Sequence, residues 1–272
     1  MNNVIITSVN NPRVKAVGDL QTGSRTRRRQ GRFVIEGRRE ITMAMEAGYT
    51  IETLFCCADV GDVSALPARL PTPVPTMVSQ TVFERMAYRE HSDGLLAVAH
   101  AKTHSIADLH LSANPLVIVM EAVEKPGNLG AILRTADAAA IDAIIVCEPV
   151  TDIYNPNIIR SSLGCLFTQQ IAVCTSRQAL EWLHANNLHV YAAELQASQK
   201  YCETNLAVPC AIVVGAEDDG LSPFWLRYAD TRIKIPMRGR VDSLNVSVTT
   251  AVLSFEAMRQ RGMTDEDEGI KG

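Results

Sequence analysis

The sequence predicts an α/β protein: a mainly parallel sheet in its C-terminal part, preceded by a smaller α/β unit. Three observations carry this. Beyond residue 115, apolar runs of four to six residues alternate with helix-like segments, the pattern of parallel strands buried on both faces. The first hundred residues also mix strands and helices, but around an Arg-rich and a Pro-rich stretch, and a polar, aperiodic segment at 101–114 separates the two parts. The length, 272 residues, accommodates two modest domains.

In the first part, Asn11-Pro12 has the signature of a helix start, with Asn11 as cap and proline in the first turn. Val14, Val17 and Leu20 then fall on one broad helical face. A polar stretch with Arg25, Arg27, Arg28, Arg29 and Arg32 reads by default as solvated and flexible. A strand follows at Phe33-Val34-Ile35, a helix at 38–47 and a strand at 51–57. Residues 61–75 hold four of the twelve prolines and form a loop. A helix over 79–87 is capped by Ser79, and a strand at 95–99 closes the unit.

In the second part, strands are expected at 116–120, 143–147, near 167–173, and at 190–194, 211–215 and 233–236. Helices are expected from Asn128, near 155–163, at 177–186 and over 242–261. The domains are therefore drawn at 1–105 and 115–262, with a linker at 106–114. The acidic run Asp265-Glu266-Asp267-Glu268 marks 263–272 as a solvated, disordered tail.

Composition excludes several classes. No apolar run approaches the roughly 20 residues that span a bilayer. Met1-Asn2-Asn3-Val4 lacks the basic start and apolar stretch of a signal peptide, so a cytoplasmic protein is expected. Seven cysteines, at 56, 57, 147, 165, 174, 202 and 210, include no C-x-x-C pair, and most sit in apolar runs. Buried reduced thiols are expected, and no metal site, since the six histidines show no ligand spacing with them. Net charge is −4, but residues 1–105 carry +3 and residues 106–272 carry −7. A basic front suits contact with nucleic-acid phosphates.

A doubly wound sheet places ligands at the C-terminal ends of its strands. Val213-Val214 runs there into Gly215-Ala216-Glu217, and Ile235 into Pro236-Met237-Arg238-Gly239. No G-x-G-x-x-G follows the first strand of the second part, and no P-loop or G-x-S-x-G elbow occurs. Alone, Gly215-x-Glu217-x-x-Gly220 is a tight turn, Asn128 a helix cap and Arg134 a surface ion-pair residue.

Taken in order, these segments resemble the three motifs of the SpoU/TrmH family of RNA ribose methyltransferases. Residues 116–146 match the first motif, with Asn128 and Arg134. Residues 211–222 match the second, with Gly215, Glu217, Gly220 and Leu221. Residues 235–250 match the third, with Pro236, Met237, Gly239, Ser243, Leu244, Asn245 and Ser247. Asn155-Pro156 and Arg160-Ser161-Ser162-Leu163-Gly164 match a further family segment. In the first part, Phe33-x-x-Glu36-Gly37 and Asp93-Gly94 resemble a ribosomal-protein-like RNA-binding domain. The chain departs from the family pattern at Ala140, Asp218, Asp219, Thr249 and Thr250.

The resemblance implies a sheet threaded into a trefoil knot (the SPOUT fold), a homodimer, and S-adenosylmethionine as methyl donor. It implies 2′-O-methylation of RNA, ribosomal RNA first and transfer RNA as the nearer alternative. A non-catalytic RNA-binding or ribosome-assembly protein of the same fold is the competing reading. The implied catalytic set is Asn128, Arg134, Glu217, Ser243 and Asn245. The implied donor-binding set is Val214, Gly215, Ala216, Glu217, Gly220, Ile235, Pro236, Met237, Ser243, Leu244 and Asn245. Ser243 also suits a plain cap of the last helix, and Glu217 a charge at a helix start. Arg25, Arg27, Arg28, Arg29, Arg32 and Arg38 are expected to contact RNA phosphates.

Overall fold

The computed structural model describes residues 5–88 and 92–262. Contacts divide the chain into two compact units: one of residues up to 103 together with 151–168, the other of 104–150 together with 169 onward. The expected acidic tail, 263–272, lies outside the described residues. No helix among the described residues is long and apolar enough to cross a membrane.

The chain begins with α1 (Pro12–Thr22), α2 (Ser24–Gln30), β1 (Arg32–Glu36), α3 (Arg38–Glu46), β2 (Ile51–Cys57), β3 (Thr76–Val78), α4 (Gln80–Met86) and β4 (Leu95–His100). The four strands form one sheet in the order β1-β4-β2-β3. The β4 strand is antiparallel to both β1 and β2, while β3 runs parallel to β2. Asn11 caps α1 as expected, accepting from the Arg13 amide at 2.9 Å, and Val14, Val17 and Leu20 are buried against Val34, Phe55 and Val98 of the sheet. Ser79 occupies the cap position of α4, but its side chain makes no cap hydrogen bond. The Asp93 carboxylate accepts from the Arg38 amide at 2.7 Å, and that of Glu36 from the Tyr88 amide at 2.7 Å, so these two motif acids pin turns at the sheet's end.

The expected flexible Arg stretch is a helix, α2, and one of its arginines is interior. Arg27 is 4% exposed. Its Nε and Nη2 donate to the Asp152 carboxylate at 3.1 and 2.5 Å, and its Nη1 donates to the Leu20 and Gln21 carbonyls at 2.6 and 3.0 Å. The guanidinium thereby satisfies carbonyls in the last turn of α1 that have no partner within the helix. The reading of Arg27 as an RNA contact is corrected accordingly.

The second sheet starts with β5 (Leu116–Glu121), α5 (Pro126–Ala138) and β6 (Ala143–Cys147). The chain then contributes α6 (Pro156–Ser161) and α7 (Cys165–Thr168) to the first unit. There Tyr154 stacks on Phe33 with ring centroids 4.1 Å apart, and Phe167 meets Tyr49 edge-on at 5.1 Å. The buried Tyr49 and Tyr154 hydroxyls lie 3.2 Å apart, and burial raises the pKa of both. The strand expected near 167–173 is thus two elements, because the apolar run Cys165-Leu166-Phe167 closes a helical turn and the strand starts only at Ile171.

The chain continues with β7 (Ile171–Cys174), α8 (Ser176–Ala185), β8 (His189–Ala193), β9 (Gln199–Lys200), β10 (Cys210–Val214), α9 (Pro223–Tyr228), β11 (Thr231–Lys234) and α10 (Val246–Gln260). The seven strands lie in the order β7-β6-β5-β10-β8-β11-β9, and every recorded pairing is parallel. Val117, Ile145, Val190 and Val213 make its core with Leu183 and Trp225 of the helices. Ile106, Leu109 and Leu111, in the segment expected as linker, pack on that core. The last helix starts four residues later than expected. Asn245 caps it, accepting from the Ser247 amide at 2.9 Å, so Ser243 is not its cap. The two threonine departures are absorbed differently: Thr250 is fully buried and its hydroxyl donates to the Val246 carbonyl at 2.8 Å, while Thr249 lies at the wall of the cavity described next.

Candidate active site

Because β10, β8 and β11 are neighbours and parallel, their C-terminal ends open on the same edge of the sheet. The loops leaving them, together with the start of α10, enclose a cavity of about 470 Å³. This falls within the roughly 300–1,000 Å³ of small-molecule sites.

The loop after β10 is the tightest part of its wall. Ala216 and Gly220 exchange backbone hydrogen bonds of 3.1 Å in both directions, folding 216–220 back on itself. A Cβ placed on Gly215 would lie 2.2 Å from the carbonyl carbon and oxygen of Gly220. Glycine is therefore required there by space, whereas Gly220 has φ +67° with room for a side chain. The result is a compact turn whose Gly215, Ala216 and Gly220 add little side chain to the cavity wall.

Of the donor-binding set, Val214, Gly215, Ala216, Glu217, Gly220, Ile235, Met237, Ser243 and Leu244 line the cavity; Pro236 and Asn245 do not. Sequence reasoning missed Glu194 and Lys234. Glu194 follows β8 and sits outside any motif; its Oε2 is shielded from solvent, accepts no hydrogen bond and lies 3.4 Å from Arg232 Nη1. Among the described residues that line the cavity, five are acidic, Glu194 (paired with Arg232), Glu217, Asp218, Asp219 and Asp242, against one lysine, Lys234. Such a wall favours a cationic ligand.

Four motif residues from three separate segments meet in one hydrogen-bonded chain. Asn128 Nδ2 donates to Glu217 Oε1, and Asn245 Nδ2 donates to Asn128 Oδ1 at 3.2 Å. Asn245 Oδ1 in turn accepts from the Ser247 amide at 2.9 Å and hydroxyl at 2.6 Å. Each amide side chain thereby has its orientation set by its neighbours. Asn128 is the third residue of α5, since Pro126 starts that helix, and it is held by this chain rather than serving as a cap. Ser243 lies at the cavity wall without joining the chain. Arg134 stands six residues further along α5, on a different face of the helix, exposed and outside the cavity wall.

Among the predicted RNA contacts, Arg25, Arg28, Arg29 and Arg38 are exposed. Arg32 is half-buried, donating to Glu52 at 2.8 Å and to Gln30 at 2.8 Å. Only Arg27 is withdrawn from the surface.

A compact, acidic cavity at the carboxyl ends of parallel strands, beside a hydrogen-bonded polar cluster, is the kind of site an α/β enzyme offers a small cationic ligand. The description of the SpoU rRNA Methylase family matches residues 115–255, and that of an MRM3-like substrate binding domain matches residues 11–97. The chain is 29% identical to the 23S rRNA (guanosine(2553)-2′-O)-methyltransferase RlmP of Bacillus subtilis, over 92% of this chain and 97% of that one. A crystal structure of an RNA 2′-O ribose methyltransferase superposes with a TM-score of 0.83 at 38% identity, covering 96% of this chain and all of the other. An AdoMet-bound rRNA methyltransferase from Sinorhizobium meliloti superposes with a TM-score of 0.86 at 28% identity, covering 96% and 99%. The chain belongs to the SpoU rRNA methylase family.

Proposed function

We propose that this protein methylates the 2′-hydroxyl of a ribose in RNA, ribosomal RNA first, using S-adenosylmethionine. The observation that carries the reading is the Ser247–Asn245–Asn128–Glu217 chain, which fixes three separate segments at one edge of the acidic cavity. The cavity's bare backbone at Gly215, its size and its excess of carboxylates suit a compact cationic donor. When bound, that donor supplies a methyl group already activated by a positive sulfur. The protein must then align the hydroxyl and help its proton depart.

Arg134 holds the phosphate next to the target ribose and stabilises the developing alkoxide. A guanidinium does not serve as the base, since it retains its proton in proteins; phosphate or water takes the proton. Arg134 stands outside the cavity wall of its own chain, a placement that suits a homodimer with active sites near the interface. An exposed apolar row of Val241, Leu244, Val248 and Phe255 on and before α10 supports the same assembly. Residues 1–105 select the RNA, and 115–262, threaded into a trefoil knot, carry out transfer. The cytoplasm is the compartment that this reading gives the protein.

Calorimetric titration with S-adenosylmethionine, followed by tritium transfer into total RNA and mapping of 2′-O-methyl positions in a deletion strain, tests the whole reading. Donor binding with transfer to ribosomal RNA is expected; binding with no transfer to any RNA favours the non-catalytic alternative. Arg134→Lys keeps the charge but loses the planar fork, and should lower the transfer rate about tenfold or more with donor affinity unchanged. An unaltered rate would remove the bidentate role. Changing Arg25, Arg28 and Arg29 together to alanine should weaken RNA binding and reduce the slope of log K against log salt by up to about 0.9 per lost phosphate contact. An unchanged slope would take α2 out of the interface.

A further inference from the structure

We infer that Glu121 is a positioning residue that braces the donor-binding loop from behind; this rests on the methyltransferase reading. Glu121 ends β5, and the register of β5 with β10 (Val214 beside Met120) brings it alongside Gly215. It is 5% exposed and absent from the cavity wall. Its Oε1 accepts from the Ser222 hydroxyl at 2.7 Å and from the Ser176 hydroxyl at 3.2 Å, and its Oε2 accepts from the Ser222 amide at 2.8 Å.

Ser222 is the last residue of the loop before α9, and it makes no side-chain cap bond to that helix. Its hydroxyl is given to Glu121 instead. The loop is therefore fixed at both ends. One end continues β10, and the other is clamped by two charge-assisted bonds to a buried carboxylate. Between the clamps lie the Ala216–Gly220 bridge and Glu217, whose carboxylate accepts from Asn128. Release of the far clamp would free Gly220 and Leu221, and with them the close approach to Gly215 that forms the cavity wall. Ser176 bonds to the same carboxylate but belongs to α8, outside the loop, which makes it an internal control.

The test uses full-length Glu121→Gln, Ser222→Ala and Ser176→Ala proteins. Backbone amide exchange is read in the ligand-free protein, and S-adenosylmethionine affinity by calorimetry. Exchange across 216–221 should accelerate in Glu121→Gln and Ser222→Ala and stay unchanged in Ser176→Ala. Donor affinity should fall about tenfold in the first, less in the second, and not in the third. The maximal transfer rate at saturating donor should be retained in Ser222→Ala, a split that general destabilisation would not give. Unaltered exchange across 216–221 in Ser222→Ala, or equal effects of Ser222→Ala and Ser176→Ala, would overturn the brace. If the wild-type protein binds no donor, the methyltransferase reading fails, and the exchange measurement still decides whether Glu121 holds the loop.

Discussion

Gly215→Ala should abolish measurable donor binding, with a loss of at least about a hundredfold, while Gly220→Ala should be far milder. The two glycines share one loop but are required for different reasons. At Gly215 the added methyl would meet the Gly220 carbonyl carbon and oxygen at 2.2 Å and the Leu221 nitrogen at 2.5 Å. These are backbone atoms, so no rotamer change relieves the overlap. The 216–220 turn must open, breaking the paired Ala216–Gly220 hydrogen bonds and withdrawing the cavity wall. At Gly220 nothing lies within 4 Å of the new Cβ, and the penalty is that of the left-handed backbone alone, roughly 1–2 kcal/mol. Calorimetric titration of both variants, with thermal melting to report folding, separates the cases. Equal donor affinity in the two proteins would mean that the loop's close approach does not shape the site.

The contrast shows what the sequence could and could not disclose. The alternation of apolar runs and helix-like segments gave the order and nature of most elements, because burial on both faces leaves a continuous apolar signature. Short elements escaped it: β3 and α9 are too brief for periodicity, and Cys165-Leu166-Phe167 is apolar in a way that helix and strand share. The motif residues were legible as a set, but their contacts were not. Nothing local distinguishes Asn245, which caps α10 and reaches Asn128, from Ser243, two residues earlier. Glu194 belongs to no motif, and Glu121, though inside the first motif segment, is not among its matched residues; only the sheet order brings their strands beside β10. Asp218 and Asp219, departures that would repel an RNA backbone, gain a different sense from the cavity they line, where negative charge suits a cationic ligand. In the N-terminal unit, Arg27, Arg28 and Arg29 are identical in composition and adjacent in sequence. What removes Arg27 from the surface is Asp152, 125 positions away.

That burial turns a presumed RNA contact into a determinant of stability, and Arg27→Ala should act on folding first. The substitution removes the cation from the Asp152 carboxylate, 12% exposed, leaving it only the Tyr154 amide at 3.1 Å, and strands the carbonyls of Leu20 and Gln21. Removing one partner of a buried ion pair costs about 3–5 kcal/mol, a large share of the roughly 5–15 kcal/mol that holds a domain folded. Arg27→Lys should recover part of this, since a single ammonium cannot serve the carboxylate and both carbonyls at once. Replacing Arg27 and Asp152 together with methionine and leucine should cost less than Arg27→Ala, because no charge is then left buried alone. Denaturant melts of the four proteins measure the ordering. A phosphate contact predicts the opposite pattern: unchanged melting for Arg27→Ala with a reduced salt slope of RNA binding. A double variant as unstable as the single one would show that Asp152 is not the partner on which Arg27 depends.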